Sequence, residues 1–207
     1  MEEKNLPLVS VPVVTYNSSK TVLETLDSIY NQTYPNIELI VSDDCSTDNT
    51  VEICREWIDK HKERFVRTEL LTVEKNTGVS ANCNRGEAAC RGEWMKGIAG
   101  DDILLPNCIQ DCLDYVKEHS DTICLFGKLD PFGGSEERRK ILIEDGDNPI
   151  KNASEEAQLH YLIFDHCFIQ TPTCFMNVKS VASLGVKNDE RIPMIEDLPK
   201  WIKGNYK

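Results

Sequence analysis

Two acidic pairs, Asp43-Asp44 and Asp101-Asp102, and two polar turns, Thr15-Tyr16-Asn17 and Asn76-Thr77-Gly78, are the residues of this chain best suited to chemistry. Adjacent carboxylates repel a bare phosphate. They suit a divalent cation that in turn binds a diphosphate, because hard oxygen ligands favour magnesium or manganese. An aspartate also accepts hydrogen bonds from a base N–H or from ribose hydroxyls. The sequence has no G-x-G-x-x-G and no G-x-x-x-x-G-K-[ST], so neither a dinucleotide turn nor a phosphate-cradling loop is written into it. Taken alone, Asp43-Asp44-Cys45-Ser46-Thr47-Asp48 serves equally well as a turn and helix cap.

The clusters gain weight from the elements that must carry them. Leu8 to Val14 reads as a buried, valine-rich strand. Val22, Leu23, Leu26, Ile29 and Tyr30 then mark one face of a helix. Ile37 to Val41 is a second strand, and Val51, Cys54, Trp57 and Ile58 form a second helical stripe with Asp48 and Glu52 near its amino end. Val66 to Val73 is a third strand, followed by a helix of small residues from Val79 to Cys90. Trp94 to Ala99 is a fourth strand. Pro106 opens a helix with Ile109, Cys112, Leu113 and Val116 on one face, and Thr122 to Phe126 is a fifth strand. Repeated β-α alternation predicts an α/β fold, a Rossmann-like open sheet, mostly parallel and flanked by helices. Each polar cluster follows a strand, and in such sheets ligands bind beyond the carboxyl ends of the strands. Four clusters at four strand ends therefore predict one shared cleft.

Beyond Gly127 the pattern loosens. Pro131, Gly133, Gly134 and the charged stretch to Asp147 read as a loop with one short strand at Ile141 to Ile143. Ile150 to Lys207 mixes helices and short extended segments attached to the first part. Lysine plus arginine is 23 against 35 for aspartate plus glutamate, a net charge of −12, which excludes a general nucleic-acid binder. The amino terminus carries no signal-peptide pattern and no apolar run is long enough to span a bilayer. Nine cysteines form no C-x-x-C pair, and the four histidines have no zinc-ligand spacing. Reduced thiols in a cytoplasmic protein are the simplest reading, with Cys108 and Cys112 as small core residues.

Four segments together are specific. Val11-Pro12-Val13-Val14-Thr15-Tyr16-Asn17, Val41-Ser42-Asp43-Asp44-Cys45-Ser46-Thr47-Asp48, Asn76-Thr77-Gly78-Val79-Ser80 with Asn84-Arg85-Gly86, and Ala99-Gly100-Asp101-Asp102 resemble, in order and spacing, the inverting family 2 glycosyltransferases. Ile195-Glu196-Asp197 looks like the Glu-Asp motif of that family, although the same pair suits the first turn of a helix.

The resemblance implies a GT-A fold, a nucleotide-diphospho-sugar donor, UDP-linked on this reading, and Mn2+ or Mg2+ as cofactor. One such domain would fill residues 1–207, with a nucleotide-sugar-binding half at 1–127 and an acceptor-side half at 128–207. Pro12, Val14, Thr15, Tyr16, Asn17, Asp43, Asp44, Asn76, Gly78, Asn84, Gly100 and Asp101 would form the nucleotide-sugar site. Thr15 and Tyr16 would lie against the base, Asp43 would accept from a base N–H, and Asp101 would approach the ribose. Asp102 would be the metal ligand. Asp197, with Glu196 beside it, would be the base that activates an acceptor hydroxyl for single displacement with inversion. The acceptor would be a glycan or a lipid-linked sugar in cell-surface polysaccharide synthesis, handled by a hexosyltransferase-type enzyme. It would work in the cytoplasm, peripheral to the inner face of the membrane, though the acidic balance disfavours adsorption to anionic lipid.

Three departures stand out. Ala99 occupies a position where many relatives have an aspartate. Cys83 occupies one where they have an arginine, leaving Arg85 or Arg91 to substitute. The chain ends ten residues after Asp197, earlier than most relatives. All three favour an alternative, a GT-A-like module that binds nucleotide-sugar or carbohydrate without turnover. A receiver-like signalling domain with Asp43-Asp44 as its acidic pocket is a further alternative that leaves Asp101-Asp102 without a role. On the acceptor side, Gln170 to Thr173, Phe175, Met176 and Trp201 fall where relatives line the site, with core packing the commoner use of such side chains.

Overall fold

The computed structural model describes residues 6–147, 149–164, 170–185 and 187–191. The β-α alternation appears as read. Strand β1 (Val9–Thr15) leads to helix α1 (Val22–Tyr30), β2 (Ile37–Asp43) to α2 (Thr50–His61), and β3 (Arg67–Thr72) to α3 (Val79–Ala88). Then come β4 (Trp94–Met95), β5 (Ile98–Ala99), α4 (Cys108–Glu118) and β6 (Cys124–Phe126). Helices α5 (Glu136–Gly146) and α6 (Glu155–Phe164), strand β7 (Cys174–Asn177) and helix α7 (Val178–Ser183) follow.

The sheet order is β3-β2-β1-β4-β7-β6, with β5 pairing β1 beside β4. Pairs among β1 to β5 are parallel, whereas β7 runs antiparallel to both β4 and β6. Starting 3-2-1-4, this order is Rossmann-like. A receiver domain would have order 2-1-3-4-5, so the topology removes that alternative.

Alternation along β1 sorts the two faces. Val9, Val11 and Val13 are fully buried in one core with Val22, Leu26 and Ile29 of α1, Cys54 and Trp57 of α2, and Ile109, Leu113 and Val116 of α4. Each such aliphatic side chain contributes about 1.5–3 kcal/mol on burial. On the other face, α3 packs with Gly86 over Pro12 and Ser42, leaving just enough room for a methyl group. A Cβ there would stand 3.4 Å from Pro12 Cβ and 3.5 Å from Ser42 Cβ.

Two readings need correction. The fourth strand is not continuous: β4 and β5 keep one register along β1, Val9 opposite Trp94 and Val13 opposite Ile98, but the ladder breaks at Lys96-Gly97. The break faces Val11-Pro12, and Pro12 has no N–H to donate. Residues 131–135 are irregular as read, but Glu136–Gly146, including the short strand read at Ile141 to Ile143, form helix α5 instead. Ser135 Oγ accepts from Arg138 N at 3.2 Å as an amino-terminal cap. Good helix formers follow it.

The sequence reading missed a buried ionic cluster at the amino-terminal end of the sheet. Glu38 is fully buried in β2 and accepts from Ser10 Oγ, Arg91 N at 2.6 Å, Gly92 N at 3.1 Å and Arg67 Nη1 at 2.9 Å. Burial pushes its carboxyl up, but the hydrogen bonds from Ser10 and Arg91 and the Arg67 charge outweigh this and hold it below its ordinary value. Among the described residues, no helix is long and apolar enough to cross a membrane.

Candidate functional site

At the carboxyl end of the sheet a cleft of about 450 Å³ is lined by Val14, Thr15, Tyr16 and Ser18 after β1, Asp44 after β2, Asn76 to Ser80 ahead of α3, and Ala99 to Asp101 after β5, with Asn82 and Glu190 completing it. The four strand-end clusters thus share one cavity. Of the predicted nucleotide-sugar residues, Val14, Thr15, Tyr16, Asp44, Asn76, Gly78, Gly100 and Asp101 lie on its wall. Tyr16 is half exposed there, an aromatic face open to a flat ligand.

The adjacent aspartates after β2 have separate roles. Asp43 is fully buried and faces away from the cleft, accepting from Thr15 Oγ1 at 2.8 Å and from Ser46 N at 2.8 Å, with Ser46 Oγ on the same carboxylate. The expectation that Asp43 meets a base N–H is therefore corrected: Asp44 is the carboxylate on the cleft. It accepts from Thr77 N at 2.9 Å, Thr77 Oγ1, Gly78 N at 2.7 Å and Arg85 Nη2 at 3.0 Å. Burial alone would push this carboxyl up, but those donors outweigh it and keep Asp44 below the usual carboxylate value. It binds the turn before α3 to the end of β2, where Gly78 takes φ 90°.

Arg85, Asn82 and Thr77 were not selected from sequence as an anchoring set. Arg85 Nε donates to Ser42 Oγ at 3.0 Å and Nη2 to Asn82 Oδ1 at 2.8 Å, while Asn82 Nδ2 donates to the Thr15 carbonyl at 3.0 Å. The signal available was spacing: Asn82 and Arg85 are i, i+3 on α3 and face the strands together. Arg85 is thus spent behind Asp44, and Arg91 lies beside Glu38 at the opposite end of the sheet. Neither is among the residues lining the cleft.

The remaining predicted residues support the wall from outside it. Pro12 packs beneath Gly86. Asn17, at φ 53°, accepts from Thr47 N at 2.8 Å and ties the turn after β1 to the turn after β2. Asn84 donates to the Asn188 carbonyl at 3.0 Å and to Glu190 Oε1 at 2.9 Å, bringing Glu190 to the cleft. Phe175 and Met176 are core, with Phe175 stacked on Trp94 at 5.0 Å. Glu196, Asp197 and Trp201 lie outside the described residues.

Asp101 is exposed at the lip and Asp102, half-buried, follows it. Burial and the neighbouring Asp101 charge push the Asp102 carboxyl up, and Lys96 draws it down less strongly. Gly100 is required by contact: a Cβ would meet Thr15 Cγ2 at 2.8 Å and Ser18 Oγ at 3.1 Å. Gly100→Ala is therefore expected to push the aspartate turn away from Thr15, at a stability cost of about 1–3 kcal/mol in urea unfolding. Unchanged stability would show that the contact is relieved without strain.

A family model described as Glycosyl transferase family 2 matches residues 10–184. Chondroitin synthase from Escherichia coli is 32% identical over 124 residues, which are 59% of this chain and 17% of that protein. Among solved structures, TarS from S. aureus in complex with UDP-GlcNAc has a TM-score of 0.71 at 22% identity, covering 95% of this chain and 52% of its own. The mannosyltransferase PcManGT from Pyrobaculum calidifontis, in complex with GDP-Man and Mn2+, has a TM-score of 0.67 at 18% identity, covering 94% and 51%. The chain spans about half the length of those two structures, and their likeness shows that the fold is GT-A.

Proposed function

The chain belongs to glycosyl transferase family 2, and from that premise we propose that it moves a sugar from a nucleotide-diphospho-sugar, UDP-linked, to a hydroxyl of a glycan or lipid-linked acceptor in cell-surface polysaccharide synthesis. The observation that carries this reading is the meeting of four strand-end turns at one cleft that has Asp101 on its wall, with Asp102 next in the chain. Tyr16 offers the base a face. The base N–H goes to Asp44, whose Thr77 hydroxyl donor can rotate to make room. Asp101 takes the ribose hydroxyls.

The donor set fits a hard divalent cation, Mn2+ or Mg2+. Asp101 and Asp102 are adjacent, oxygen-only ligands, and their mutual repulsion leaves a place for positive charge. Mg2+-type ions bind through one or two carboxylates plus substrate phosphates, so Ala99 in place of a third carboxylate is compatible with the fit. Such an ion, when bound, offsets negative charge on a departing diphosphate. Asp102 would hold it. Asp197 removes the proton of the acceptor hydroxyl as that oxygen attacks the anomeric carbon from the face opposite the leaving group, which inverts the centre. The enzyme works in the cytoplasm, peripheral to the membrane that carries its acceptor.

Titration calorimetry with UDP, GDP, CDP and dTDP, with and without Mn2+, tests the donor site. One nucleotide is expected to bind in a Mn2+-dependent manner. Release of UDP from UDP-sugars then tests turnover, with Asp197→Asn expected to lower transfer ~10²–10⁴-fold. No nucleotide binding would remove the donor site. Binding without turnover would support the alternative that Ala99 and Cys83 favour, a GT-A-like nucleotide-sugar or carbohydrate-binding module.

A further inference from the structure

Lys96 lies in the break between β4 and β5, five and six residues before Asp101 and Asp102, and is only 2% exposed. Burying an ammonium is costly, and burial pushes its pKa down. The titratable groups around it are the thiols of Cys108 and Cys112 on α4, that of Cys174 on β7, and the Asp102 carboxylate. Its Nζ donates to the main-chain carbonyl of Pro172, in the tight turn Thr171–Thr173 that leads into β7. The backbone N–H of Lys96 is already held by the Ser10 carbonyl at 2.9 Å, so the base of the side chain is rigid.

These surroundings do not select a lysine for stability. Methionine has nearly the same length and shape and suits a pocket of thiols without the desolvation cost. A cation at this point attracts the half-buried Asp102 on one side and grips the carbonyl of the 171–173 turn on the other. We propose that Lys96 is a positioning residue whose ammonium clamps the turn at 171–173 to the strand end bearing Asp101 and Asp102, so that the acceptor-side segment and the donor-side carboxylates are held as one unit. The inference rests on the transfer reading for its catalytic consequence, whereas the clamp itself is testable without ligand.

The test compares wild type with Lys96→Met by hydrogen–deuterium exchange of the ligand-free protein, thermal melting, and UDP release from UDP-GlcNAc with Mn2+. Exchange at residues 98–102 and 170–177 is expected to rise ~10-fold while the β1–β2 amides keep their protection. The melting temperature is expected to equal or exceed that of wild type. UDP release is expected to fall ~10-fold or more, as misplacement of a reacting group does. Unchanged exchange at both segments overturns the clamp, and so does a lowered melting temperature with exchange rising across the whole sheet.

Thr173→Ala supplies a second handle, since Thr173 Oγ1 closes the turn on the Gln170 carbonyl at 2.7 Å. If the two residues act through one turn, Thr173→Ala alone must also raise exchange at 98–102, and the double variant must exchange no faster than Lys96→Met. Additive effects would count against the clamp. A wild type that binds no UDP and releases none from UDP-GlcNAc would overturn the donor reading, and the exchange comparison would still decide the clamp.

Discussion

Asp102→Asn is expected to lower Mn2+-dependent release of UDP from a UDP-sugar by ~10²–10³-fold while leaving the melting temperature within a few degrees of wild type. The substitution keeps the volume and the backbone hydrogen bond from Asp102 N to the Ala99 carbonyl, at 3.2 Å, and removes one negative charge. Because Ala99 offers no third carboxylate, that charge is half of what the Asp101-Asp102 pair supplies to a cation. Stability should scarcely suffer, because the Asp102 carboxylate is raised by burial and by Asp101 and so costs the folded state more than it contributes. Turnover within threefold of wild type at limiting Mn2+ would place the cation elsewhere.

Glu38→Ala carries the largest expected loss of stability, about 3–5 kcal/mol in urea unfolding. That is a large share of the roughly 5–15 kcal/mol that holds a domain together. The loss would take from Arg67 its 2.9 Å carboxylate partner, leaving it Glu69, and from the Arg91 N–H its acceptor at 2.6 Å, while the Gly92 N–H keeps Ser10 Oγ at 2.8 Å. Glu38→Gln keeps shape and an acceptor oxygen, and should cost less than the alanine variant. The depressed carboxyl also sets a pH dependence. Its stabilisation is present above the ordinary value of 4.5 and is lost as pH falls through the lower folded value, so the gap between wild type and Glu38→Ala should narrow in acid. A loss under about 1 kcal/mol at neutral pH would show that the cluster breaks even against its desolvation.

The part of the site legible in sequence was its location. Strand periodicity and the polar residues closing each strand placed Tyr16, Asp44, Thr77-Gly78 and Gly100-Asp101 at one edge, and the cleft is there. Glu38 and Lys96 were not legible, because a charge inside an apolar run shows neither its burial nor its partners. Those partners are 53 and 76 positions away in the chain, at Arg91 and Pro172. The 136–146 segment was misread because three aliphatics in a row carry no period of their own. The Ser135 cap and the helix formers after it favour the helix over residues 136–146.

By itself, then, the sequence determined the α/β alternation, the strand ends and the acidic pairs, since side-chain period and turn chemistry are local properties. Tertiary structure alone decided which carboxylate does which work. Asp43 and Asp44 are equal in sequence, but the chain turns sharply beyond β2, where Cys45 takes φ 66°. Asp43 meets Thr15 and Ser46 inside the protein, while Asp44 meets the turn before α3 at the wall of the cleft. That difference comes from donors on separate segments competing for two neighbouring carboxylates, and only the folded chain brings those donors together.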